Sequence, residues 1–179
     1  SKRMIRESLY DSSPAVRVSA ALAAGDARDS MAQTALHTLL RENYVPVQLA
    51  AAYALECLGD KRFGSWYDNV LMGEDAQLSG LACMILGKLG TSEVRLDSGE
   101  KLWKVLKKEN QNPQVRLQAA ESLAKLGDET ILERLLAYAG STFADDRILA
   151  LSGLAELDKR GNANAYAGLV MLAGDPQIE

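Results

Sequence analysis

The chain is poor in the residues from which metal centres, disulfide scaffolds and sheets are built. Among 179 residues there are two cysteines, one histidine and four prolines, and aromatic residues make up 6%. Cys57 and Cys83 stand in no CxxC or Cys/His cluster, so no zinc site or disulfide framework is read from them. His37 has no second histidine or cysteine at ligand spacing. One histidine near Arg41 and Glu42 is no catalytic constellation, and the expectation is a plain surface histidine. Also missing are a P-loop, a dinucleotide-binding glycine fingerprint, an HExxH helix and a GxSxG elbow. No catalytic residue, cofactor or metal ligand is therefore assigned. Apolar/polar alternation and hairpin turns are absent, which argues against a sheet. No apolar run reaches the ~18 residues of a membrane span, and no signal peptide is read. The sequence opens on Ser1, not Met, so a processed start leaves the compartment open, with the cytoplasm as the default. Net charge is -4 and the pI near 5.2. Phosphate neutralisation dominates duplex binding, so no nucleic-acid partner is expected.

What is present is alanine and leucine, arranged in a repeat. Hydrophobic residues are 47% of the chain, and the Ala and Leu leading them are strong helix formers. Asn112 to Asp128 is the clearest copy, Val47 to Asp60 a second, and Leu78 to Gly90 a third. Anchors fall at Val16, Val47, Leu78, Val115 and Asp146, with steps of 31, 31, 37 and 31 residues. A period of this size means stacked units that bury a core only against their neighbours. The longer step places an insertion at Thr91 to Ser98, expected to be a loop or half-turn.

Each unit reads as two helices. Val115, Ala119, Ser122 and Leu126 form one apolar stripe, stopped by Gly127-Asp128. Ile131, Leu132, Leu135 and Leu136 form the next. The pattern predicts helices near 2–10, 14–25, 29–42, 46–58, 63–72, 76–89, 99–109, 113–126, 129–139, 145–157 and 162–173. Pro14, Pro46, Pro113 and Pro176 all fall in first turns, where a missing N–H costs nothing. The units are approximately 1–26, 27–60, 61–90, 91–127 and 128–158, with 159–179 incomplete. Asp175-Pro176-Gln177-Ile178 repeats the opening Asn112-Pro113-Gln114-Val115. An inner helix abandoned after one turn is no cap, so the sequence is read as a piece of a longer chain.

Asp11, Pro14, Val16-Arg17 and Ala20-Ala21, with Asn112 to Asp128 and Asp145 or Asp146 with Arg147, Leu151 and Leu154, resemble the HEAT repeat family, in particular the short repeats named after phycobilisome lyases. The resemblance implies an all-α, right-handed α-α solenoid of about five HEAT-like pairs, with the Val-Arg helix lining the concave face. It also implies a ladder in which Arg17, Arg116 and Arg147 pair with turn acids of neighbouring units, near Asp11, Asn112 and Asp145. Gln48 and Ser79 replace the arginine, so the ladder is expected to break in the middle. Relatives of the subtype include bilin lyase subunits, and other HEAT-like solenoids act on DNA bases.

The outward positions of the inner helices are the first candidate site. Leu22, Tyr53, Leu81 and Met84 put apolar groups there, among Lys88, Glu121 and Lys125. A contiguous exposed apolar stripe marks a partner surface; the competing reading is that curvature buries it. Cys57 is expected to be more exposed than Cys83, the two pointing apart. Lys101, Lys104, Lys107 and Lys108, with Arg95, form a basic outer face that reads as an ordinary solvated one. Trp66-Tyr67 and Trp103 fall on outer helices, where large rings plug the gaps between units. The function expected is a non-enzymatic protein-interaction scaffold using its concave face, with another protein as partner. The alternatives are an accessory or oligomerisation arm of a larger, enzymatic protein, and, by resemblance alone, a bilin lyase-like or DNA-base-acting enzyme.

Overall fold

A computed structural model describes residues 1–91, 96–108 and 111–173. Among them every regular element is a helix: α1 (Lys2–Ser8), α2 (Pro14–Asp26), α3 (Gln33–Leu39), α4 (Val45–Cys57), α5 (Gly64–Leu71), α6 (Ala76–Thr91), α7 (Ser98–Lys107), α8 (Pro113–Leu126), α9 (Leu132–Ala139), α10 (Ala144–Lys159) and α11 (Ala163–Ala173). Short 3-10 turns, Ser30–Ala32 and Glu129–Ile131, lead into α3 and α9. Even-numbered helices α2 to α10 stack in sequence as an inner row, and the odd-numbered helices α1 to α9 each pack on the inner helix that follows. The result is a right-handed α-α solenoid of HEAT-like pairs.

Local chemistry sets the boundaries. Pro14, Pro46 and Pro113 sit in the first turns of α2, α4 and α8; Pro176 lies outside the described residues, as does the Asp175–Ile178 motif. The Asn112 carboxamide accepts the Gln114 N–H at 2.8 Å, and Asp75 accepts those of Gln77 and Leu78 at the start of α6. Gly59 and Gly127 adopt φ of 105° and 87°, the left-handed conformation that ends a helix. Gly90 does not act this way, since α6 runs on to Thr91. A Cβ at Gly90 would lie 2.5 Å from Leu126 Cδ2, so this glycine serves close packing of α6 on α8. Within the insertion, residues 92–95 lie outside the described set.

The core divides into two apolar clusters that share α4. Val47, Ala50, Ala51, Ala54 and Leu55 face Leu9, Ala21 and Leu36, while Leu49, Ala52, Tyr53 and Cys57 face the later units. A helix apolar on every side has to be central, and α4 is buried from Val47 to Cys57 apart from Gln48. Cys57 is therefore only 9% exposed, more than Cys83 at 0% but still in the core, and both cysteines are free thiols.

The arginine row is continuous in role though not in residue type. Arg17 donates to the Asp11 and Ser12 carbonyls, Arg116 to that of Lys108, and Arg147 to that of Ser141. Gln48 donates to the Leu40 and Glu42 carbonyls and Ser79 to that of Val70. Each side chain thus satisfies carbonyls ahead of its own inner helix, in the turn that follows the preceding outer helix or, for Ser79, in that helix's last turn. Gln48 and Ser79 reach carbonyls as the arginines do, and neither takes an acid partner among the described residues. The expected acid pairing is found at Arg17, whose Nη2 lies 2.8 Å from Glu42 Oε2; among the described residues Arg116 and Arg147 donate to carbonyls.

Candidate functional site

The stripe expected to face outward is largely folded inward. Tyr53 is 1% exposed and Glu121 2%, whereas Leu22, Leu81, Met84, Lys88 and Lys125 are half-buried. Tyr53 is buried because Gly25 faces it: a Cβ at Gly25 would lie 2.6 Å from Tyr53 Cε1. The Tyr53 hydroxyl donates to Asp26 Oδ1. Lys88 Nζ lies 2.9 and 2.8 Å from the two Asp26 oxygens and 5.7 Å from the Tyr53 ring centroid. Burial, reinforced by the Asp26 hydrogen bond, pushes the phenol pKa far up. Glu121 is held likewise by Lys125 Nζ at 2.6 Å, Ser152 Oγ at 3.0 Å and Gln118 Nε2 at 3.1 Å. Tyr53 and Glu121 are thus mortar between inner helices, a correction to their reading as contact residues.

The open part of the inner face lies further along it. A cleft of about 390 Å³ crosses the first halves of α6, α8 and α10. Leu81, Val115, Leu117 and Leu149 supply apolar surface, and Gln77, Gln114 and Gln118 supply carboxamides. Its charged lining is Asp145 and Asp146. Asp146 accepts from Ser141 Oγ at 3.0 Å, and neither carboxylate forms an ion pair among the described residues. Sequence reasoning reached Leu81 but missed the cleft. The signal was Gly80: two positions after the anchor the other units carry Val18, Leu49, Leu117 and Ile148. A Cβ at Gly80 would meet nothing within 4 Å, so the missing side chain leaves space unfilled.

The remaining candidates are occupied by structural contacts. Lys101 pairs with Asp68 and Asp97, Lys104 with Glu100 at 2.9 Å, and Lys108 donates to the Met72 carbonyl; Arg95 lies outside the described residues. Lys107 Nζ sits 5.7 Å from the Trp103 ring centroid, and Trp103 Nε1 donates to Asp128 Oδ2 at 2.6 Å. Trp66 stacks on Tyr67 with centroids 6.1 Å apart. His37 is half-buried, and no group of three metal-ligating side chains occurs among the described residues. Among the described residues no helix is long and apolar enough to cross a membrane.

No protein-family model and no curated protein matches the chain. Solved structures do. The complex of CpcE and CpcF of phycocyanin lyase from Nostoc sp. PCC7120 aligns with a TM-score of 0.51 and 19% identity, covering 99% of this chain and 91% of that one. An engineered protein aligns at 0.46 and 19%, covering 99% and 93%. Human deoxyhypusine hydroxylase aligns at 0.41 and 15%, covering 88% and 84%. The first of these likenesses supports a HEAT-like helical repeat. It also corrects the expectation that the chain is not an enzyme. One chain of a phycocyanin lyase complex aligns with this fold over nearly its full length, so the fold gives no ground for setting catalysis aside.

Proposed function

We propose that this solenoid binds another protein on the inner face of its stacked helices, at the cleft across α6, α8 and α10. The observation that supports it is the cleft itself. Leu81 and Leu149 stay half-buried beside the exposed Gln77, Gln114 and Asp145, while the inner face is sealed at Tyr53 and Glu121. Affinity concentrates in a few apolar anchors ringed by polar groups, and Leu81 and Leu149 are those anchors here. Met84 follows Leu81 on α6 and Leu22 lies at the far end of the stripe, while Lys88 and Lys125 are held by Asp26 and Glu121. The phycocyanin lyase structure, a complex of two chains, supports by analogy of fold a partner that is itself a protein.

The test is capture of partners from a lysate of the source cell by the wild-type chain and by Leu81→Glu/Leu149→Glu, with melting temperature as control. A protein held by the first and lost from the second, at similar stability, is the expected result. Equal capture by both moves the site off this face.

The same likeness favours a second reading, in which the chain is one subunit of an enzyme that works as a complex of two different chains. Pigment chemistry of the lyase kind would appear as new visible absorbance when the chain and its partner are mixed with a bilin.

A further inference from the structure

Resting on the inner-face reading, we infer that the cleft takes an extended segment of the partner in which an aliphatic residue stands beside a lysine or arginine. The aliphatic preference comes from Gly80. The other units carry Val18, Leu49, Leu117 and Ile148 here, of which α4 and α8 bury Leu49 and Leu117, and at Gly80 the space above the backbone is empty. An incoming aliphatic side chain supplies what the unit lacks, against Leu81 and Leu117. Burial of apolar surface in such a recess is favourable in proportion to area.

The extended conformation follows from the carboxamides. Gln77 and Gln114 line the cleft and are exposed, and each carboxamide offers both a donor and an acceptor. An extended backbone presents unpaired N–H and C=O groups in the same alternation, whereas a helix satisfies its own. The basic residue follows from charge. Asp145 and Asp146 are the charged groups of the lining, and neither forms an ion pair among the described residues. A guanidinium or ammonium placed there gains a charge-assisted hydrogen bond.

The experiment is panning of a phage-displayed library of random short peptides on the immobilised full-length chain. The strongest peptide is then titrated against wild type, Gly80→Leu and Asp145→Asn/Asp146→Asn, with melting curves for each. Gly80→Leu restores the residue type of the other units into open space, so its melting temperature is expected to hold or rise. The selected peptides are expected to share an aliphatic-basic pair. Binding should vanish in Gly80→Leu, fall about tenfold in the double asparagine variant, and weaken with added salt. Peptides without a basic residue that are still lost in Gly80→Leu overturn the partner chemistry and leave the inner-face reading standing. Binding indifferent to Gly80→Leu overturns both, and enrichment of no peptide at all overturns the inference.

Discussion

Lys88 reaches past an entire helix to Asp26, 62 residues earlier in the chain, with its Nζ 2.8 Å from Asp26 Oδ2. The residue it passes over is Tyr53, whose hydroxyl donates to the same carboxylate. One carboxylate thereby joins α2, α4 and α6. The ion pair is partly exposed, at 31% and 49%, so its own contribution is at most ~1 kcal/mol. Burial of the Tyr53 ring stabilises the junction more than the ion pair does, and it explains why the inner face is closed here and open at Gly80.

Tyr53→Phe keeps the ring and removes only the hydroxyl, and is expected to cost about 1 kcal/mol. Tyr53→Glu places a carboxylate in the core and is expected to cost several kcal/mol, about 3 or more. Thermal or urea unfolding of the two variants separates the cases. A Tyr53→Glu protein as stable as wild type would show that the ring is surface.

Two glycines of the inner row should respond in opposite directions. At Gly25 a Cβ meets Tyr53 Cε1 at 2.6 Å and the Ala54 Cα at 2.9 Å; backbone cannot move aside as a flexible side chain does, so Gly25→Ala is expected to cost ~1–3 kcal/mol. At Gly80 nothing is met, so Gly80→Ala is expected to stabilise by up to ~1 kcal/mol through helix propensity. Urea midpoints at constant m-value check both.

Asp128 makes stability fall in acid. Burial raises its carboxyl pKa, but hydrogen bonds from Thr130 and Trp103 outweigh that and hold it below the ordinary value. A carboxyl depressed in the folded state contributes stability that is present above the unfolded value near ~3.9 and lost as pH falls through the folded one. Melting temperatures between neutral pH and pH ~3 are expected to fall less steeply in Trp103→Phe, which removes one of those bonds. Identical slopes would contradict this.

The thiols should be inert in the native state. Burial pushes Cys83 up to about 12 and raises Cys57 as well, and thiolate is the reactive form. A thiol reagent at mildly alkaline pH is expected to label neither until denaturant is added. Rapid labelling of one thiol in native protein would place Cys57 at an opening.

The repeat was legible because a stacked unit must show its apolar stripe, its proline start and its glycine stop in sequence. Helix α8, Pro113–Leu126, falls on the span predicted for it. Gly90 misled because the residue type that ends a helix also admits a neighbour, and only the position of Leu126 tells which role applies. Tyr53 and Glu121 misled for a related reason. Which face of an inner helix is outward depends on how closely the next helix approaches, and that is set by Gly25 and by Ser152 on adjacent helices. Arg17, Gln48 and Ser79 share one role through different chemistry, so residue identity hid what carbonyl geometry makes plain. Gly80 was visible throughout as a gap in an aliphatic row, but a missing side chain means a cleft only once the space above it is known to be empty.

The most direct test of a partner on the inner face is photocrosslinking from two positions in the source cell's lysate. A photoreactive residue at Gln114 lies in the cleft, while one at the exposed Arg134 lies on the outer helix α9. A protein adduct from position 114 and none from position 134 is the predicted result. Adducts from position 134 alone would place the partner on the outer row and contradict the account.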